Sequence, residues 1–253
     1  MLGRKKIVDT PIDTYSGNLP EDTCIYAIGD IHGRFDLLIK LQALIEEDMH
    51  ERKCARRVVV YLGDFVDRAA QSKDVIERLL THSFEGAEHV YLMGNHEFAM
   101  LNFLSAPDLS DAWLAWGGDA TLQSYDVELT DEKGERRPSK DLAHDLSNNI
   151  PDEHLDFLHH LKLYHQEGNF LFVHAGVRPG LPLTAQAPND MLMIRDEFIF
   201  SKKMPNQIVV FGHTIFDKPF LGPMRIGVDT GAYYSDVLTC AVITSHSLDF
   251  IKT

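Results

Sequence analysis

The chain has 253 residues and carries 38 acidic against 24 basic side chains, for a formal net charge of −14. This charge repels a long polyphosphate backbone, so we expect no long nucleic acid as a partner. Hydrophobic residues make up 44% and charged residues 25%, which is typical of a globular protein and excludes a disordered or fibrous chain. Chains of this size commonly fold as one α/β domain, and we predict a single domain over residues 1–253.

The first segment, residues 1–22, is predicted to be a tail that precedes the fold. It contains the basic cluster GRKK, but no apolar stretch follows, and no run in the chain approaches the ~20 apolar residues of a membrane-spanning helix. We therefore expect neither export nor membrane insertion. The cysteines at positions 24, 54 and 240 share no spacing typical of a metal site or a disulfide framework, so we expect reduced thiols and a cytoplasmic location.

Short apolar runs that end at glycine or a polar turn are predicted to be buried strands. Between the first three of them, apolar residues recur at helical spacing in 35–49 and 72–84. This alternation favours parallel strands joined by crossover helices, as in an α/β fold. The predicted strands are residues 24–29, 57–63, 89–94, 169–176 and 207–212.

Two later regions depart from this alternation. Residues 108–150 contain DAWLAWGGDATLQSY followed by a charged stretch with glycine and proline, and they are predicted to be an insertion or cap. For Trp113 and Trp116, three residues apart, we expect packing against the core in preference to stacking on a substrate. The C-terminal runs leave no room for helices, which predicts an antiparallel meander over 224–232, 236–244 and 246–252.

Polar residues follow five of the predicted strands at the point where each strand ends. In an open α/β sheet, ligands bind beyond the carboxyl ends of the strands. Most of these side chains are carboxylates, an amide and imidazoles, without a thiolate, and this is the ligand set of a hard or borderline divalent cation. The residues are Asp30, His32, Asp64, Asp67, Arg68, Asn95, His96, His174 and His213.

The spacing of these residues suits a site shared by two ions. Asp30 and His32 lie two positions apart and can face one metal, and Asp64 on the neighbouring strand can bridge both. Two cations about 3.5–4 Å apart can hold a phosphate and acidify a water molecule into a nucleophile. The pattern therefore predicts in-line hydrolysis of a phosphoester. The further ligands of the second ion would be Asn95, His174 and His213.

Six motifs, GDIHGR, GDFVDR, GNHE, HAG, GHT and VDTGA, occur in this order along the chain. In this set and order the sequence resembles the phosphoprotein phosphatase family of calcineurin-like metallophosphoesterases, in its bacterial and bacteriophage branch. The resemblance implies an α/β fold with a central β-sandwich flanked by helices and a two-metal site at the carboxyl ends of strands. It also implies two divalent ions, with manganese as the family expectation and iron or zinc as alternatives.

The resemblance further implies a catalytic pair in which His96 protonates the leaving oxygen and Asp67 holds its ring. Imidazole carries a proton near neutral pH, and an adjacent carboxylate favours that charged form. For Arg195, whose guanidinium fork would suit phosphoryl oxygens, an ordinary ion pair with Asp196 or Glu197 is the alternative. The substrate-binding residues implied in this way are Arg68, Asn95, Arg195 and Tyr233.

Two motifs depart from the usual form of the family. Where DRGP is usual, Ala69 and Ala70 follow Arg68, and an alanine at a position that needs positive φ would cost on the order of 1 kcal/mol. Where glycines usually follow the tyrosine pair, the chain has Ser235 and Asp236. Neither change removes a predicted ligand, so we expect activity.

The leading functional prediction is a serine/threonine protein phosphatase, whose partner is a phosphorylated protein or a small phosphoester. Arg34 in GDIHGR and Glu97 in GNHE favour this class. The alternative within the superfamily is a dinucleoside tetraphosphate hydrolase, a class that extends to RNA decapping and usually has GDIHGC and GNHD. A third hypothesis, a metal-binding scaffold without turnover, is disfavoured because every predicted ligand and the acid are present.

Overall fold

The computed structural model describes residues 19–203 and 205–253, and its ten strands form two five-stranded sheets. Most of the predicted N-terminal tail therefore lies outside the described residues. The strands are β1 Thr23–Ile28, β2 Arg56–Tyr61, β3 Ala87–Tyr91, β4 Tyr164–Glu167, β5 Phe170–Val173, β6 Ile208–Phe211, β7 Phe220–Gly222, β8 Arg225–Gly227, β9 Thr239–Ile243 and β10 Leu248–Lys252. The sheet orders are β10-β9-β1-β2-β3 and β4-β5-β6-β8-β7.

Helices connect the strands and cover the outer faces of both sheets. Among them, the part of the chain that the structure describes holds no helix long and apolar enough to cross a membrane. Shorter turns lie at Pro107–Leu109, Leu114–Gly118 and Leu183–Ala185. The α-helices are α1 Phe35–Glu51, α2 Ser72–Thr81, α3 Asn95–Ser105, α4 Asp119–Ser124, α5 Ser139–Asn149, α6 Asp152–His159, α7 Pro188–Met193, α8 Asp196–Ile199 and α9 Ala232–Ser235.

Alternating side chains of β1 show how the layers are built. Ile25 and Ala27 pack into the apolar layer between the two sheets, where they meet side chains such as Phe172 of β5. Tyr26 and Ile28 face the opposite way and pack with Leu38 and other residues of the covering helices. Because β1 is buried on both faces, its sequence is a continuous apolar run. The predicted α/β fold with a helix-flanked β-sandwich is confirmed.

The first three strands pair in parallel, as the strand and helix alternation predicts. β2 lies between β1 and β3 and pairs in parallel with both. In the second sheet β5 and β6 are also parallel. Parallel strands end at a common edge of their sheet, so these pairings bring the polar residues that follow β1, β2 and β3 together.

The predicted C-terminal meander is wrong. β8 belongs to the second sheet, where it pairs in parallel with β6 and antiparallel with β7, a strand that the sequence pattern did not reveal. Of the three predicted runs, the last two form a hairpin, β9–β10, which returns to the first sheet, where β9 pairs antiparallel with β1. The apolar pattern predicted the strands but not their sheets, because strands of both sheets bury the same kinds of side chain.

The expectation of reduced thiols is wrong for two of the cysteines. Cys24 and Cys54 form a disulfide with 6.0 Å between their Cα atoms, within the usual range, whereas Cys240 is a free, buried thiol. The two residues are 30 positions apart, so their spacing gave no sign of pairing. They meet because β1 and β2 are parallel neighbours whose first residues lie side by side.

We predict that Cys54→Ser lowers the free energy of unfolding by about 3 kcal/mol under oxidising conditions, because a crosslink over a loop of this length restricts the unfolded chain. Urea unfolding of the variant and the wild type, with and without reductant, measures the effect. The two proteins should coincide once the wild type is reduced. A difference that persists in reductant would mean that Cys54 contributes through packing instead.

Candidate metal centre and active site

The predicted site residues lie at the ends of five strands drawn from both sheets. Asp30 and His32 follow β1, Asp64 follows β2, and Asn95 and His96 open α3 just beyond β3. From the second sheet, His174 follows β5 and His213 follows β6. All seven side chains are buried, with 6% or less of their surface exposed. The fold thus brings the predicted ligands to one place.

Asp64 belongs to two clusters of possible metal ligands. One cluster is His32, Asp64 and His96, the other is Asp64, His174 and His213, and the ligand atoms within each lie within 4.8 Å of one another. Its Oδ2 is 3.5 Å from His32 Nε2, whereas its Oδ1 is 3.4 Å from His174 Nε2. Each oxygen of this carboxylate therefore faces a different cluster, the arrangement of a bridging ligand.

Backbone carbonyls select the ring nitrogens that face the clusters. Nδ1 of His32 lies 2.9 Å from the Val66 carbonyl oxygen, and Nδ1 of His174 lies 2.8 Å from that of Leu62. A carbonyl only accepts, so in each ring Nδ1–H donates, which leaves Nε2 to face the cluster. A hydrogen bond from the ring nitrogen that does not face the metal is typical of metal-binding imidazoles.

His213 provides a direct test of whether a cation fits. Its Nε2 is buried and has no hydrogen-bond partner among the described residues, and its ring offers one nitrogen to the Asp64–His174–His213 cluster. Burial lowers the pKa of His213 to about 2 and that of His32 to about 3, so both rings are held neutral, the form that binds metal. Nitrogen and carboxylate ligands with one unpartnered lone pair fit a divalent cation.

Asp30 lies beside both clusters without belonging to either. Its carboxylate accepts the backbone N–H of His213 at 2.9 and 3.1 Å, and it interacts with the buried carboxyl of Asp229. Burial, with the neighbouring carboxylates, raises the pKa of Asp30 well above its ordinary value and that of Asp229 to about 6. Sequence reasoning missed Asp229, although the VDTGA motif that contains it was recognised.

Several site residues adopt a left-handed backbone, which non-glycine residues rarely do. Among the described residues, Ala69 does not have a positive φ. The conformational cost expected for an alanine with positive φ at this position therefore does not arise. Positive φ at functional positions stores strain that the surrounding contacts must offset. The residues concerned are His32, Asp64, Asp67, Arg68 and His213, with φ between 48° and 73°.

Glu97 is a buried support for the Asp64 loop. Its Oε2 accepts the N–H groups of Asp64 and Gly94 at 2.8 and 2.9 Å, and its Oε1 accepts those of Phe65 and Val66 at 2.7 and 3.2 Å. Burial raises the pKa of Glu97 to about 7. The side chain is fully buried, so any influence of the GNHE motif on substrate choice must act through the Asp64 loop.

Arg34 also acts through a loop. Its guanidinium pairs with Asp36 and Asp236 and donates to the Ala232 carbonyl at 2.9 Å. These contacts hold the turn that carries Tyr233, and the ring of Tyr233 lies 4.4 Å from the Arg68 guanidinium. Arg34 therefore affects Arg68, the predicted phosphate-binding side chain, only indirectly, through the turn that carries Tyr233.

His96, a member of the first cluster, forms a close pair with Asp67. His96 Nδ1–H donates to Asp67 Oδ2 at 2.6 Å, while His96 Nε2 lies 3.4 Å from Arg68 Nη2 and 3.9 Å from Asp64 Oδ2. Burial alone would lower the pKa of His96, but the charges of Asp64 and Asp67 raise it above its ordinary value. The pair is arranged as a proton donor held by a carboxylate.

Arg195 lies at the edge of the site and does not form the alternative ion pair considered for it. It donates to the His213 carbonyl at 3.1 Å, and Glu197 pairs with Arg178 instead.

Trp113 is buried against Phe103, as expected from its spacing. Trp116, by contrast, is 41% exposed.

Comparison with known proteins was made at the levels of family, sequence and structure. The calcineurin-like phosphoesterase family matches residues 25–227 of the chain. A bis(5'-nucleosyl)-tetraphosphatase, PrpE, of Bacillus mycoides is 24% identical over 84% of this chain and 87% of its own length. Serine/threonine-protein phosphatase 2 of Escherichia coli is 30% identical, over 41% of this chain and 43% of its own.

A solved structure has a similar fold at low sequence identity. The cold-active protein-tyrosine phosphatase of a Shewanella species superimposes with a TM-score of 0.56 and 15% identity, covering 94% of this chain and 83% of its own. The proteins that resemble this chain are thus named for three different phosphate-bearing substrates.

We predict that Glu97→Gln destabilises the protein by about 1–3 kcal/mol, because an amide NH2 would face two N–H donors that now share one carboxylate oxygen. Chemical unfolding measures the change in free energy. The exposed Glu85 provides the control, since Glu85→Gln should leave stability unchanged. Equal stability of the two variants would contradict the supporting role of Glu97.

Proposed function

The chain belongs to the calcineurin-like phosphoesterase family, and from this premise we propose that it hydrolyses phosphate monoesters on protein side chains, as a serine/threonine protein phosphatase. Membership and the phosphatase-named relatives make it a metal-dependent phosphoester hydrolase. The observation that carries the proposal is that two buried ligand clusters share Asp64 and that His96, in one of them, is paired with Asp67.

Two divalent ions would be held by residues already brought together in the fold. Asp30, His32 and Asp64 would hold the first. When bound, the ions supply positive charge against the phosphoryl oxygens and increase the acidity of water. Manganese is the expected metal, and iron or zinc would also suit nitrogen and oxygen ligands. The second ion would be held by Asp64, Asn95, His174 and His213.

The chain's own side chains bind the phosphoryl group and move a proton. Arg68 and Arg195 present guanidinium groups that can hold phosphoryl oxygens, and Tyr233 packs against the first of them. His96 donates its proton from Nε2 to the leaving oxygen, because Nδ1 is occupied by Asp67. Burial of the pair excludes water that would compete for that proton.

A second candidate substrate is a dinucleoside tetraphosphate. The bis(5'-nucleosyl)-tetraphosphatase of Bacillus mycoides aligns over most of both chains, whereas the serine/threonine phosphatase of Escherichia coli aligns over less than half. The protein substrate is supported by the resemblance of GDIHGR and GNHE to the motifs of the protein phosphatases, whose letters Arg34 and Glu97 hold loops of the site in this chain. Both substrates present a phosphoryl group to the same residues.

A substrate panel tests the proposal. Purified protein with Mn²⁺ is given p-nitrophenyl phosphate, phosphoserine, phosphothreonine and phosphotyrosine peptides, and diadenosine tetraphosphate at equal concentrations. We expect the largest kcat/KM on phosphoserine or phosphothreonine peptides. Preference for the dinucleotide would favour the second candidate. Absence of hydrolysis with metal present would contradict both and favour a metal-binding scaffold.

We predict that His213→Ala reduces the metal content from two Mn²⁺ ions per chain to one, because the second cluster loses one of its two imidazoles. Metal analysis after equilibrium dialysis measures the content, and the rise in Tm on adding Mn²⁺ should be smaller than in the wild type. His165→Ala is the control, since His165 also has a buried Nε2 without a hydrogen bond among the described residues but lies on β4, outside the clusters. Two ions retained by His213→Ala would contradict this ligand assignment.

A further inference from the structure

Part of the region predicted as a cap lies directly against the loop of the acid pair. This part, residues 113–121, is called here the tryptophan segment. The Gly117 carbonyl accepts the Arg68 N–H at 3.2 Å. Gly117 has φ of 112°, and a Cβ there would lie 2.8 Å from the Arg68 nitrogen. The backbone of the segment therefore fits closely onto the loop that carries Asp67 and Arg68.

Both ends of the tryptophan segment donate hydrogen bonds to the Asp67 carboxylate. Trp113 Nε1–H donates to Oδ2 at 2.7 Å, and the Thr121 hydroxyl donates to Oδ1 at 2.6 Å. Oδ2 also accepts His96 Nδ1–H, and Asp67 itself is fully buried. Each carboxylate oxygen is thus fixed by the segment, and one of them is shared with the predicted acid.

The two donors hold the carboxylate in one orientation. An indole nitrogen can only donate, so Trp113 has no alternative role at this position. The Thr121 oxygen also accepts the Asp67 backbone N–H at 2.9 Å and lies 2.9 Å from the Ser72 hydroxyl, which directs its proton toward the carboxylate. Rotation of the Asp67 side chain would break both bonds and shift the His96 ring with it.

We propose that Trp113 and Thr121 are positioning residues for protonation of the leaving group, which makes the tryptophan segment part of the catalytic machinery. This inference rests on the proposed phosphatase function. The segment fixes the orientation of the Asp67 carboxylate, and that carboxylate fixes the orientation of the His96 ring. His96 then donates its proton from Nε2. A displacement of about 1 Å in such a chain can cost on the order of 10²-fold in rate.

The loss should depend on the leaving group. A serine alkoxide needs a proton as it departs, whereas p-nitrophenolate leaves without one. Looser positioning of His96 should therefore slow hydrolysis of a phosphoserine substrate more than hydrolysis of p-nitrophenyl phosphate. General damage to the fold or to metal binding would slow both reactions alike.

The test compares Trp113→Phe and Thr121→Val with wild type, in the presence of Mn²⁺, on a phosphoserine peptide and on p-nitrophenyl phosphate. We expect kcat on the peptide to fall about tenfold or more, a fraction of the roughly 10²–10⁴-fold contributed by a general acid. On p-nitrophenyl phosphate it should fall by less than about threefold, with KM unchanged on both. Thr121→Ser, which keeps the hydroxyl, should restore the peptide rate.

A matched control separates positioning from stability. Tyr125→Phe removes another buried hydrogen bond close by, 2.9 Å to His154 Nδ1, that does not reach Asp67. It should lower Tm without changing the ratio of the two rates. If Trp113→Phe fails to fold, the Thr121→Val and Thr121→Ser pair decides the question.

Three outcomes would overturn the inference. The first is an equal loss on both substrates, and the second is no loss on either. The third is an additive loss when Trp113→Phe is combined with His96→Ala, since the effects of residues that act through one proton donor should not add. A wild type inactive on both substrates would instead refute the proposed function, before any variant is compared.

Discussion

The Asp64 carboxylate is the group on which the rest of the site depends. Burial opposes its ionisation, but the surrounding histidines, His174 and His96 foremost, hold its pKa well below the ordinary value. Its Oδ1 also accepts the His96 backbone N–H at 3.1 Å, which ties the start of α3 to the end of β2. The charge at the centre of the site and the geometry of its loops therefore have the same origin.

The convergence of the predicted ligands could be foreseen from the sequence because it follows a simple physical rule. An apolar run that stops at a glycine or a polar turn places the next polar side chain at the end of a buried strand, and five such runs place theirs together. The Cys24–Cys54 pairing and the sheet assignment of β8 could not be predicted in this way. Both depend on which strands are neighbours, and apolar strands of either sheet look alike in the sequence.

Residues that support the site were harder to recognise than residues that form it. The sequence pattern identifies Glu97 and Arg34 only as members of their motifs. In the structure Glu97 accepts backbone N–H groups of the Asp64 loop, and Arg34 donates to a backbone carbonyl in the turn before Tyr233. The spacing of Trp113 indicates a helical packing face, and most of its ring is buried by packing. Its indole N–H nevertheless donates a hydrogen bond to Asp67. Such contacts join residues far apart in the chain, so no local pattern contains them.

The division of the ligands between two sheets has a consequence for the order of folding during synthesis. Asp30, His32 and Asp64 leave the ribosome early, whereas His174 and His213 follow more than a hundred residues after Asp64. Chains generally fold from the N-terminal side as they are made. A nascent chain that has paired only β1, β2 and β3 can offer a partial, weak site, and tight binding of both ions must wait until β5 and β6 have docked.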